Sequence, residues 1–178
     1  VDARRDRVLI GKERHDVGRP GDVGYPIRGI FNDDFLYLIN FEPDRWPAGN
    51  PETGYMNCDG SPTKSALLAL RGDPERSHYW QRSFGKRPPR ELYNVKTDPD
   101  CLDNLAEREG YSDLCRALDG QLRRELQEQG DPRITGEGPP LDENPTAALA
   151  NRNYYERFLR GEIDVAGWIR PEDIQAPE

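Results

Sequence analysis

Phe35-Leu36-Tyr37-Leu38-Ile39-Asn40-Phe41 decides the fold of this chain. Aromatic and branched side chains dominate the run, and such residues fit a pleated, half-buried surface. Side chains alternate along a strand, so Phe35, Tyr37, Ile39 and Phe41 share one face and Leu36, Leu38 and Asn40 the other. Both faces are mostly apolar. The strand therefore expects a helix on one side and further cover on the other. Just upstream, Ile27-Arg28-Gly29-Ile30-Phe31 forms a second extended run. The polar Asn32-Asp33-Asp34 between the two reads as a hairpin turn. Arg7-Val8-Leu9-Ile10 before Gly11, and Glu91-Leu92-Tyr93-Asn94-Val95, supply two more strands.

The cover comes from residues 112–129. Tyr111, Leu114, Cys115, Leu118, Leu122 and Leu126 recur at three- and four-residue spacing, the stripe of an amphipathic helix. Gly130-Asp131-Pro132 stops it. The expected fold class is α+β. A small antiparallel sheet of about four strands, near 7–10, 27–31, 35–41 and 91–95, is covered on one face by this long C-terminal helix. Long Pro/Gly-rich loops connect the parts.

Composition agrees. Among 178 residues there are 17 glycines and 16 prolines, nearly a fifth of the chain, against roughly 12% in average usage, so long stretches must be loop. The net charge of −8 argues against a general nucleic-acid binder, which needs a basic footprint. It permits a local basic pocket, and Arg4, Arg5, Arg7, Lys12, Arg14 and Arg19 cluster near the start. No apolar run approaches the ~18 residues of a membrane span. The first residues have no apolar core of a signal peptide. The chain starts at Val1 rather than Met, which suggests a processed product or a piece of something longer. Export of a parent protein to the periplasm or the medium stays open.

Residues 42–65 are irregular and rich in proline, but they carry Trp46, Tyr55 and Met56, which argues for an ordered loop. Short helices are expected over 62–70 and 74–84, the second with Tyr79, Trp80 and Phe84 as its apolar residues. From Gly136 the composition shifts, with Glu137-Gly138-Pro139-Pro140 as a linker. This divides the chain into residues 1–136 and an appended, partly helical tail, 137–178. A helix near 145–160 would turn Leu149, Tyr155 and Leu159 inward.

The densest polar constellation is Lys12-Glu13-Arg14-His15-Asp16, at the end of a strand. A histidine among cations and carboxylates can donate to an anionic oxygen or relay a proton; the same run also fits a solvated charge cluster. Arg28 and Arg45 stand as isolated cations beside apolar segments, each able to fork an anionic group. Asp44-Arg45-Trp46 sets an acid, a base and an aromatic side by side. It reads either as a sugar platform or as a loop with Trp46 plugging the core. Three cysteines and two histidines give no metal-binding spacing. Ser61 lacks the glycines of a nucleophile elbow, and Gly18 to Gly24 lacks the spacing of a phosphate loop.

Two segments carry a family resemblance. One runs from Gly11-Lys12-Glu13-Arg14-His15-Asp16 through Gly24-Tyr25-Pro26-Ile27-Arg28-Gly29-Ile30 to Asn40-Phe41-Glu42-Pro43-Asp44-Arg45-Trp46-Pro47-Ala48-Gly49. The other runs from Pro89-Arg90-Glu91-Leu92-Tyr93-Asn94-Val95 through Asp98-Pro99 to Asn104-Leu105-Ala106. Over residues 7–135 the chain resembles the C-terminal subdomain of bacterial sulfatases of the alkaline-phosphatase superfamily, nearest the heparan N-sulfatase (N-sulfoglucosamine sulfohydrolase) type. The resemblance implies a parent that hydrolyses sulfate esters or sulfamates of a sulfated sugar such as a glycosaminoglycan, using formylglycine and a divalent cation, calcium. Cys58-Asp59-Gly60-Ser61 departs from the formylglycine motif, with glycine where Pro or Ala belongs and serine where Arg belongs. The family's metal carboxylates lie in the preceding large domain, so no catalytic residue, metal ligand or cofactor is expected in this chain. What it would contribute is one side of the substrate pocket: His15 first, then Glu13, Arg14 and Lys12 beside it, with Asp44, Arg45 and Trp46 as a second loop. The expected partners are the missing N-terminal domain and a sulfated carbohydrate, with no nucleic acid and no membrane span. The rival reading is a non-catalytic carbohydrate-binding or interaction module. A subdomain cut from its partner should also expose an apolar patch, expected at the outward residues of 35–41 with Trp46, Tyr55 and Met56, and hence form a homo-oligomer.

Overall fold

The computed structural model describes residues 6–136 and 141–176. The linker expected at Glu137-Gly138-Pro139-Pro140, together with Arg4 and Arg5, lies outside them. The strands are β1, Arg7–Lys12; β2, Ile27–Asn32; β3, Phe35–Asn40; and β4, Arg90–Asn94. The helices are α1, Pro62–Leu68; α2, Ser77–Phe84; α3, Ser112–Glu128; α4, Pro132–Thr135; and α5, Tyr154–Leu159. The chain forms two compact units. One takes the described parts of Val1–Glu13, Pro26–Glu42 and Pro88–Leu141; the other takes Arg14–Tyr25, Pro43–Arg87 and Asp142–Glu178.

The first unit is the expected α+β layer pair. Its sheet is antiparallel throughout, in the order β1-β2-β3-β4. Leu9, Ile30, Tyr37 and Leu92 are register partners in one row across it. That row packs with Cys115, Leu118, Leu122 and Leu126 of α3. Ile30, Tyr37, Leu92 and Leu122 are wholly buried, and burial of one such side chain is worth about 2 kcal/mol. The Tyr37 hydroxyl donates to Asp119 of α3 at 3.0 Å. The hairpin turn bends at Asp33, in the left-handed region at φ 52°, which Asp tolerates better than most residues. On the opposite face Gly29 is required: a Cβ there would lie 2.6 Å from Leu38 and 2.9 Å from Ile10. Val8 and Ile10 of the edge strand β1 are exposed on that face.

The second unit is built from loops and short helices. Trp46, Tyr55, Leu68, Trp80 and Phe84 form one cluster; Val17, Met56, Tyr154, Ala166 and Ile169 form another. Ser61 starts α1 by accepting from the Lys64 backbone amide at 3.1 Å. The α2 helix begins at Ser77, later than 74, because the Asp73 carboxylate takes the amides of Glu75 and Arg76 into a turn. Residues 142–176 are integral to this unit. Asp173 is fully buried, 3.5 Å from the Lys64 ammonium, and accepts from Ser65 Oγ at 2.6 Å. Gln175 bonds the Pro51 and Leu68 carbonyls. The division at 136 read from composition therefore differs from the packing, in which residues 142–176 join 14–25 and 43–87. Two further expectations are corrected. The helix of the tail is confined to Tyr154–Leu159, because Asn153 before it is left-handed; Tyr154 turns inward, while Leu149 and Leu159 are exposed. Trp46, Tyr55 and Met56 form no exposed patch, because they fill these two clusters.

Candidate functional site

In the first unit, β1 ends at Lys12 and delivers Glu13 beside Arg28 of β2. Arg28 is the hub. Its Nη2 donates to Glu13 at 2.5 Å and its Nε to Asp131 at 2.6 Å, while Nη1 donates to the Lys12 and Ile27 carbonyls. Burial disfavours its charge, but the hydrogen bonds to Asp131 and Glu13 outweigh that and hold its pKa above the ordinary arginine value. Arg133 grips the same Glu13 carboxylate at 2.9 and 3.1 Å. Asp131 also caps α4 by accepting from the Arg133 amide at 2.9 Å. Two carboxylates and two guanidiniums thus neutralise each other. Sequence reasoning took Arg28 as able to fork an anionic group, and the group it forks is this chain's own. Asp131 was legible only as part of a helix stop.

In the second unit, Arg14 donates to the Asp22 and Asn144 carbonyls, both at 2.9 Å, and Asp16 accepts from the Val17 amide at 2.8 Å. His15 between them is exposed. Arg45 donates to the Gly24 carbonyl and to Asp142, each at 3.0 Å, and Asp44 beside it is exposed. Trp46 is 8% exposed. Its ring meets Trp80 and Tyr55 edge-on, with centroids 6.1 and 6.2 Å away, and carries Lys86 over it at 5.1 Å. That is the geometry of a core plug rather than a stacking platform.

Arg19 escaped the sequence reading as a site residue. It is 1% exposed. Its Nε and Nη2 donate to the Trp46 and Pro47 carbonyls at 3.0 Å, and its Nη1 is buried with no protein partner. Burial, followed by the charge of Arg45, lowers its pKa to about 10. The Gly18-Arg19-Pro20 setting was the available signal: an arginine fixed in a turn-rich loop where no strand or helix explains it.

Among the described residues, no group of three or more His, Cys, Asp or Glu is placed to hold a metal ion, and no helix is long and apolar enough to cross a membrane. Cys58, Cys101 and Cys115 are free thiols; burial pushes the Cys101 and Cys115 thiols up, away from reactivity. No family model matches the chain, and no curated protein matches it.

Proposed function

We propose that the chain is the C-terminal part of a sulfatase acting on sulfate esters or sulfamates of a sulfated sugar, and that it supplies substrate-pocket side chains rather than the nucleophile or metal ligands. The reading starts from the sequence resemblance over residues 7–135. The observation that carries it further is the setting of His15. Its neighbours Arg14 and Asp16 are both tied to backbone groups of the same unit. The imidazole between these braced neighbours is exposed. A backbone fixed on both sides holds a side chain ready to donate to an anionic oxygen without ordering it anew on binding. Arg14, Glu13 and Lys12, which precede His15 in the sequence, are the further contacts proposed. Asp44 and Arg45 are the weaker pair of contacts.

The test begins with the complete reading frame that encodes Val1–Glu178. A Cys-x-Pro-x-Arg or Ser-x-Pro-x-Arg motif upstream of Val1 is expected. The isolated chain is expected to leave an aryl sulfate intact, with or without calcium. A complete frame lacking the motif would favour the non-catalytic module, and turnover by the isolated chain would refute the division of labour proposed here.

A further inference from the structure

The two edges of the sheet are finished differently. The backbone groups of an antiparallel strand point alternately to its two sides. The Phe41 amide donates to the Pro26 carbonyl, and the Asn40 amide to that of Pro89. With the unbroken registers of the sheet, these two bonds fix the alternation throughout. Arg90 and Leu92 of β4, and Arg7, Leu9 and Gly11 of β1, turn their backbone groups away from the sheet. At the β4 edge those groups are taken up. The Leu92 carbonyl accepts from the Leu105 amide at 2.8 Å, the Leu92 amide donates to Asn104 at 2.9 Å, and the Arg90 carbonyl accepts from Asn104 at 3.2 Å. At the β1 edge, nothing among the described residues bonds the outward groups of Arg7, Leu9 and Gly11. A cavity of about 360 Å³, lined by Leu9, Ile10, Gly11, Leu126 and Gln129, borders that edge. The strand has no proline, no bulge and no charge between Arg7 and Lys12, and it exposes Val8 and Ile10 by 57% and 42%. An unguarded edge of this kind is a template for another strand.

We propose that β1 pairs antiparallel with β1 of a second copy of this chain, about a two-fold axis at Leu9. The strand is its own complement in that register. Leu9 faces Leu9 of the other copy, Arg7 faces Gly11, Val8 faces Ile10, and Asp6 faces Lys12. The Leu9 pair and both Arg7–Gly11 pairs use the outward backbone groups, and each such pair exchanges two N–H···O bonds. The exposed Val8 and Ile10 cover one another on one face, and opposite charges meet at both ends of the pairing. Neighbouring registers lose this match: a two-fold at Val8 sets Ile10 against Asp6, and one at Ile10 sets Val8 against Lys12. The β4 edge of each copy stays covered, so the pairing closes at two copies. The inference does not rest on the sulfatase reading. The two share Lys12 alone, and the test reads mass and amide exchange, not activity.

The experiment is sedimentation equilibrium of the 178-residue chain over a concentration series, with amide hydrogen exchange followed by NMR over the same series. Twice the monomer mass is expected at the high end. Exchange at Arg7, Leu9 and Gly11 should slow as the dimer forms, while Val8, Ile10 and Lys12, already bonded to β2, should change little. Val8→Lys combined with Ile10→Lys sets like charges opposite each other twice, and should raise the Kd of the dimer at least about tenfold. Its amide spectrum checks the fold. Asp6→Lys, at an exposed position before the strand, is the second variant. It faces Lys12 and should raise Kd at least about threefold. A chain that stays monomeric throughout, a mass beyond two copies, a dimer without slower exchange at Arg7, Leu9 and Gly11, or a Kd unmoved in the folded variants overturns the proposal.

Discussion

Arg28 reaches from β2 to the Glu13 carboxylate at 2.5 Å, and this bond pins the residue that follows the first strand to the second. The Arg28 side chain is 8% exposed and also holds Asp131. Replacing it by Met removes the cation and strands Asp131, while Glu13 keeps only Arg133. Arg28→Met should destabilise the chain by about 3 kcal/mol, the cost of breaking a buried pair from one side. Urea unfolding measures it.

Gly29 sits in the sheet with no room for a methyl group. A Cβ would sit 2.6 Å from Leu38 and 2.9 Å from the Tyr37 carbonyl. Gly29→Ala should cost about 1–3 kcal/mol through overpacking, and thermal unfolding reads it as a lower Tm.

The buried Lys64–Asp173 pair ties the C-terminal segment to α1. Burial already lowers the Lys64 pKa, so the ammonium depends on its partners. Asp173→Ala should cost about 3 kcal/mol. Amide exchange should rise at Ala166, Ile169 and Gln175 more than in the sheet.

Tyr155 donates to Glu52 at 2.9 Å. Burial, then this bond, pushes its hydroxyl up to about 12 from an ordinary 10.0. A folded-state pKa raised above the unfolded value stabilises fully below the unfolded value and is lost as pH rises through the folded one. Stability should therefore fall between about pH 10 and 12, and Tyr155→Phe should flatten that fall in denaturation midpoints taken across the range.

The sheet and α3 were legible because each is written twice, once in periodicity and once in punctuation. The alternation in 35–41 matches the Leu9–Ile30–Tyr37–Leu92 row, and Gly130-Asp131-Pro132 ends the leucine stripe where α3 ends. The loop unit was not legible in the same way. Trp46 is held by edge contacts to Tyr55 and Trp80, and no sequence period announces contacts between loops. The tail misled for the same reason: Asp173 and Gln175 look like a charged end, and only their distant partners Lys64, Ser65 and Leu68 reveal them as interior. Of the site, the strand-end cluster could be read from charge density, whereas the burial of Arg19 could not, because its partners are backbone carbonyls far along the chain.

The most direct measurement is the hydrolysis of glucosamine N-sulfate and related sulfated sugars by the polypeptide of the complete reading frame, with His15 intact and as His15→Ala. The account predicts sulfate release by the intact polypeptide and a loss in kcat/KM of at least about tenfold in the variant, the worth of one hydrogen bond to a charged group, with the fold unchanged. No sulfate release from any sulfated sugar, or an unaltered kcat/KM in His15→Ala, would contradict it.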